Sequence, residues 1–180
     1  MPVKLFETER LYGREFTTQD TTRLTQILSD PEVMKYSVHG VCDERATRKF
    51  IDWSIACYEE SGIGFWALIE KKSGNLIGFS GVGPEPVDGT ELMNLGYRLA
   101  REYWNLRFAT EAAKGVLEYV FRQRAIESVA VIIEPDHLAS LKVAEKVGFT
   151  DYTNREFYGR PVRIYRLDLQ AWLSIDRGAT

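Results

Sequence analysis

Cysteine is scarce in this chain: Cys42 and Cys57 are the only two in 180 residues. Neither stands at metal-ligand spacing from the two histidines, His39 and His137, so no metal site is expected. Two reduced thiols suit a cytoplasmic protein. No apolar run approaches the ~20 residues of a membrane-spanning helix, and the opening MPVKLFETER is too polar for a secretory signal. No partnership with a membrane is therefore expected. Basic runs are missing as well. Lys plus Arg total 23 against 26 Asp plus Glu, a net charge of −3, which disfavours direct binding of a nucleic-acid backbone. There is no repeat, low-complexity stretch or visible linker, so residues 1–180 read as one domain. Glycine is absent from one telling place, the polar segment YWNLR (103–107) that runs into a helix.

What is present has clear periodicity. Residues 10–16 read as a first strand. Thr18 or Asp20 caps a helix to about Ser29, with Leu24, Ile27 and Leu28 on one face. Pro31 opens a short helical turn, PEVMKY. Asp43 caps a second helix to about Glu60, with Phe50, Trp53 and Cys57 on its apolar stripe and Ser61-Gly62 at its end. Then the period changes to two. GFWALIEK (64–71), NLIGFSGV (75–82) and ELMNLGYRL (91–99) read as strands, the last two joined by a Pro/Gly-rich loop. A long helix is predicted over 106–123, an apolar strand over 128–134 and a helix over 137–147 that stops at Gly148. Strands over 150–158 and 162–169 flank the turn YGRP. The strand–helix–strand unit across 91–134 demands a crossover and hence a locally parallel pair. The result is a mixed sheet with helices on both sides.

Two helix starts carry the chemistry. Unpaired amides at residues 105–110 are a natural anion site. In EPDHLASLKVAEKVGF (134–149), Asp136 or His137 caps the helix and leaves Ser140 on its first turn. No nucleophile elbow accompanies Ser140, so a serine-hydrolase triad is not expected.

The order of elements, together with SGNLIGFSGV, LGYRL, YWNLRFATEA and HLASLKVAEKVGF, resembles the GNAT N-acetyltransferases, specifically the ribosomal-protein N-terminal (Rim-type) branch. The resemblance covers nearly the whole chain. It implies an α/β GNAT fold: a seven-stranded, mostly antiparallel sheet with one splayed parallel pair. It implies acetyl-CoA as cosubstrate, with the pantetheine arm along Tyr97, Arg98 and Leu99. The pyrophosphate would sit on Asn105, Leu106, Arg107, Phe108, Ala109 and Thr110. Ser140 matches the residue that protonates or hydrogen-bonds the leaving sulfur.

Three departures from the branch stand out. Arg107 replaces the central glycine of the cradle. With φ > 0 it would be strained, whereas inside the helix start it would have ordinary negative φ, which is the expectation here, and its guanidinium would reach a phosphate. Asn94 stands where a glutamate base is usual, and Ala144 where many relatives carry a tyrosine acid. His137 then becomes a candidate base, with Glu91 and Glu134 as further candidates. Met34, Tyr36 and Tyr158 are expected to line the acceptor groove, while Trp53 reads as core. The implied reaction moves an acetyl group to a primary amine, either a protein N-terminus or a small molecule such as an antibiotic or polyamine. A catalytically weak acyl-CoA-binding module is the other reading. A monomer or a homodimer would serve.

Overall fold

Apolar alternation decides which side of the sheet each strand residue meets. The structure, a computed structural model, describes residues 2–178. One sheet holds β1 (Lys4–Glu7), β2 (Leu11–Arg14), β3 (Phe65–Glu70), β4 (Leu76–Val87), β5 (Thr90–Leu99), β6 (Ser128–Ile133), β7 (Tyr152–Phe157) and β8 (Arg160–Asp168). Their spatial order is β1-β2-β3-β4-β5-β6-β8-β7. Only β5 and β6 are parallel among these neighbours. The helices are α1 (Thr21–Leu28), α2 (Glu44–Ser61), α3 (Phe108–Gln123), α4 (Leu138–Val147) and α5 (Leu169–Gly178). On one face Ala67, Ile69 and Phe79 pack with Leu24, Ile27 and Ile51 of α1 and α2. On the other, Trp66, Leu68, Ile77 and Leu95 pack with Val116 and Val120 of α3 and Ala144 and Val147 of α4.

The sheet has eight strands rather than the expected seven. The extra one, β1, is four residues long with only Phe6 buried, too short for a period-2 signal. Helix α5 was also unforeseen; it follows β8 directly and buries Trp172. The largest revision concerns GPEPVDGT. This is strand, not loop: β4 runs to Val87 and β5 starts at Thr90, around a tight turn at Asp88 (φ 48°) and Gly89 (φ 77°). Pro84 and Pro86 are tolerated for a simple reason. The Val82 N–H points toward β3 and donates to the Gly64 carbonyl, so positions 84 and 86 face the same way. There β3 has ended, its pairing with β4 reaching only Phe65 opposite Gly81, and a missing N–H costs nothing.

The feature that makes a site is the β5–β6 pair. The two strands meet at one bridge, Asn94 opposite Ala130. Beyond it, Leu95–Leu99 stay paired with β4, from Val82 back to Gly78. Their other edge has no ladder partner among the described residues, so backbone groups are open along the splay, apart from the Leu99 carbonyl, which accepts from the Trp104 indole.

Candidate active site

The loop between β5 and α3 lies at the end of that open edge. Here Asn105 (φ 62°) and Arg107 (φ 65°, ψ 15°) are left-handed, while Leu106 between them is not. The expectation of negative φ at Arg107 is therefore corrected. Residue 107 is the N-cap of α3, just outside the helix, and α3 begins at Phe108 rather than 106. Alternating signs of φ can turn successive N–H groups to one side, the pattern that anion-binding backbone concavities use. Arginine in that conformation carries about 1–2 kcal/mol of strain relative to its usual region. Its side chain is exposed and makes no hydrogen bond or ion pair among the described residues.

A distant residue braces the loop. Arg10 donates from Nη2 to the Leu106 carbonyl at 2.9 Å and stacks over the Phe108 ring at 4.0 Å. Glu111, on the first turn of α3, fixes Arg10 in turn. It accepts from the Arg10 backbone N–H (2.7 Å), Arg10 Nε (2.7 Å) and Thr8 Oγ1 (2.6 Å). The Trp104 indole donates to the Leu99 carbonyl at 2.9 Å, tying the loop's start to the end of β5.

Ser140 is buried on the first turn of α4, and its hydroxyl contacts the Tyr97 hydroxyl rather than any capping group among the described residues. Its Oγ lies 2.8 Å from the Tyr97 hydroxyl, a contact in which either group can donate, and the Tyr97 hydroxyl is also within donating distance of the Ser140 carbonyl at 3.0 Å. Burial pushes the Tyr97 phenol up to about 12, against a smaller lowering by Ser140, so it remains a proton donor at neutral pH. Sequence reading used only the backbone of Tyr97. Strand parity already contained the rest: Leu95, Tyr97 and Leu99 share a face, and it is the face on which α4 packs.

His137 reaches the same cavity, its ring stacked on Tyr36 with centroids 4.1 Å apart and planes 11° apart. Tyr36 Oη donates to the Asp136 carbonyl at 3.2 Å. Burial, with Arg98 and Lys35 nearby, lowers the imidazole to about 4. It is neutral at pH 7 but holds an extracted proton poorly. Arg98 projects into the cavity and donates to the Val33 carbonyl at 3.2 Å; burial holds its pKa below the usual value.

These groups surround a cavity of about 560 Å³ that also takes in Asn94, Met34, Tyr36 and Tyr158. Met34 is mostly core at 6% exposed, and Tyr158 is a rim residue. Trp53 belongs here too, 39% exposed on the cavity wall and not in the core. The buried stripe of α2 is Thr47, Ile51, Ser54 and Cys57, which leaves Trp53 at its margin. Of the candidate bases, Glu91 sits exposed beside the β4–β5 turn and does not line the cavity. Glu134 does, paired with Arg160 at 3.5 Å. Glu85 was missed because its segment read as loop. It is half-buried on the cavity wall, and burial raises its carboxyl above the usual range. A second cavity of similar volume, between β1 and α3, is lined by charges that pair locally, Lys4 with Glu7 and Arg122 with Glu118.

A mixed sheet opened at one parallel pair, with a left-handed loop at the end of the gap and a buried Ser–Tyr pair beside it, defines the class as an α/β fold with a cleft at its splayed strands. Comparison with known proteins narrows this. The family model for the acetyltransferase (GNAT) domain matches residues 10–150, and the chain belongs to that family. The uncharacterized protein YkkB of Bacillus subtilis (strain 168) is 31% identical over 159 residues, 88% of this chain and 92% of that protein. A GNAT-family acetyltransferase from Bacillus anthracis superposes with a TM-score of 0.78 at 23% identity, covering 94% of this chain and 99% of that one. RimL, a ribosomal L7/L12 alpha-N-protein acetyltransferase solved with coenzyme A, gives 0.74 at 16% identity, covering 95% and 99%.

Proposed function

We propose that this protein is an acetyl-CoA-dependent N-acetyltransferase whose acceptor is a primary amine, with a chain-terminal α-amino group favoured. The observation that carries the reading is the open edge of Leu95–Leu99, leading from the Ser140–Tyr97 pair to the left-handed amide loop at 105–107. That edge suits the two amides of a pantetheine arm. The loop suits a diphosphate, with Asn105 to Thr110 supplying amides and Arg107 a free guanidinium. The cosubstrate supplies an acetyl group activated as a thioester.

The chain's own residues do the rest. A backbone N–H near Leu95 or Tyr97 faces the splay and serves the carbonyl oxygen as it gains charge. Ser140 Oγ–H gives a proton to the departing sulfur and is resupplied through the Tyr97 hydroxyl at 2.8 Å. Asn94, with no basicity of its own, orients the amine by hydrogen bonding. Tyr36, stacked on His137, and Met34 shape the acceptor side, with Tyr158 at its mouth. An α-amino group has a pKa near ~8 against ~10.4 for lysine, so far more of it is neutral at pH 7. RimL, by its name, acts on such a group.

The test is thiol release from acetyl-CoA over a panel of small amines and peptides with free or blocked N-termini. Turnover with free α-amines and none with blocked ones is expected. Coenzyme A binding without turnover on any amine would refute the reading. Arg107→Gly should separate two roles of one residue. Relief of left-handed strain raises stability by about 1 kcal/mol, or roughly 2–4 °C in Tm. Loss of the guanidinium raises the acetyl-CoA Kd several-fold. Calorimetry and thermal denaturation read both, and tighter binding by the glycine variant would remove the cationic contact.

A further inference from the structure

We propose that Glu85 receives the acceptor's ammonium and takes its first proton, supplying from β4 the carboxylate that Asn94 lacks on β5. This assignment rests on the acetyl-transfer reading above. Register sets the geometry. Asn94 lies opposite Gly83, and Glu85 is two residues further along β4 on the same face, about 7 Å away. It lies on the side of Asn94 away from Leu95–Leu99 and the cradle, where an acceptor rather than the acetyl donor must enter. Gly83 between them is roofed by aromatic rings. A Cβ there would come within 2.9 Å of Trp53 Cη2 and of Phe65 Cε2. The wall beside Glu85 is thus a carboxylate next to aromatic rings, a combination that suits a primary ammonium with an apolar body.

Glu85 itself is in an unusual condition. It is half-buried, lines the cavity, and makes no hydrogen bond or ion pair among the described residues. A desolvated carboxylate without donors is costly unless a ligand supplies them. Burial raises its pKa, with a smaller opposing effect from His39. Besides His39, the titratable groups of the cavity are Tyr36, Cys42, Lys49 of α2, Tyr97 and Arg98 of β5, Glu134, His137, and Tyr158 and Arg160 of the β7–β8 hairpin. Glu134 has its own partner in Arg160, and His137 is held neutral, so Glu85 is the carboxylate left free to act.

The protons balance as follows. The ammonium gives one to Glu85, which later releases it to water. The freed lone pair on nitrogen forms the C–N bond at the thioester carbonyl carbon, and the C–S bond breaks. Nitrogen loses a second proton to water as the amide forms, and one proton passes from water through Tyr97 and Ser140 to the sulfur, leaving both hydroxyls protonated. The sum is one amide, one thiol and one proton released.

Glu85→Gln and Glu85→Asp, compared with the parent on the amine it turns over best, test this. The expected result is a fall in kcat/KM of about 10²-fold or more for Glu85→Gln. The acidic limb of its pH profile should vanish, and Glu85→Asp should recover part of the rate. The acetyl-CoA Kd by calorimetry should stay unchanged, and the Tm should hold or rise, since the unpartnered charge is removed. A Gln variant within threefold of the parent, with the same acidic limb, would overturn the role of Glu85 and leave acetyl transfer standing. A parent that turns over no amine would overturn acetyl transfer itself, and this assignment with it.

Discussion

Replacing Ser140 by alanine is expected to lower kcat by about 10²-fold while the acetyl-CoA Kd stays within about threefold. The hydroxyl removed is not a strong binding contact. Its importance lies in its position, buried at the open edge of β5 and 2.8 Å from the Tyr97 hydroxyl. Without it sulfur must leave unprotonated or take its proton from water. Tyr97→Phe should reproduce most of the loss, because the phenol resupplies the serine. The double variant should then be little worse than Ser140→Ala alone, since two groups acting as one relay are not additive. The fold should tolerate either change: Ala144 and Phe149, which pack beside them in the core, are untouched. Single-turnover thiol release with parallel calorimetry reads these values. Full additivity of the two losses would disprove a shared relay.

The largest expected effect on stability is at Glu111. Its carboxylate accepts three hydrogen bonds from Thr8 and Arg10 and is largely buried, 16% exposed. Glu111→Ala removes the acceptor of the Arg10 backbone N–H and of Thr8, while the Arg10 guanidinium, 40% exposed, turns to water, at a cost of about 1–2 kcal/mol, or roughly 2–8 °C in Tm. The effect is also functional. Arg10 would lose its anchor and with it the hold on the Leu106 carbonyl, so the acetyl-CoA Kd should rise as well. The pH dependence has a definite sign. Burial alone would raise the Glu111 pKa, but the bonds from Thr8 and Arg10 outweigh it and leave the value lowered from 4.5. The group's contribution is complete above its unfolded value and is lost as pH falls below 4.5 toward the folded one. Acid unfolding of Glu111→Ala should therefore be less steep in that window than that of the parent.

Much of this molecule was legible in the sequence, for identifiable reasons. Long segments with strong periodicity, such as α3 and β6, came through with ends displaced by only a residue or two, because burial enforces the pattern. The Ser140 turn and the amide loop were legible as helix starts. What failed was local. Pro84 and Pro86 are breakers inside a paired strand, but here their missing donors face a side where β3 has stopped, and that depends on a neighbour 20 residues away. That one misreading hid Glu85. Arg107 was expected at negative φ because residue 107 reads as lying at or inside the helix start; the helix begins one residue later, and the loop is tied at the neighbouring Leu106 carbonyl by Arg10, about 100 residues upstream. The position of Trp53 on the cavity wall depended on which stripe of α2 faces the sheet, and two small polar residues, Thr47 and Ser54, hold that stripe.

The central claim is that main-chain groups along Leu95–Leu99 and in the loop from Asn105 to Thr110 hold coenzyme A. Amide ¹⁵N chemical-shift mapping during titration with coenzyme A tests it most directly. The account predicts that the largest perturbations fall on those two stretches, with Asn105 to Ala109 losing most of theirs when pantetheine, which has no diphosphate, replaces the full carrier. Perturbations confined to the groove between β1 and α3, or the same pattern from both compounds, would contradict it.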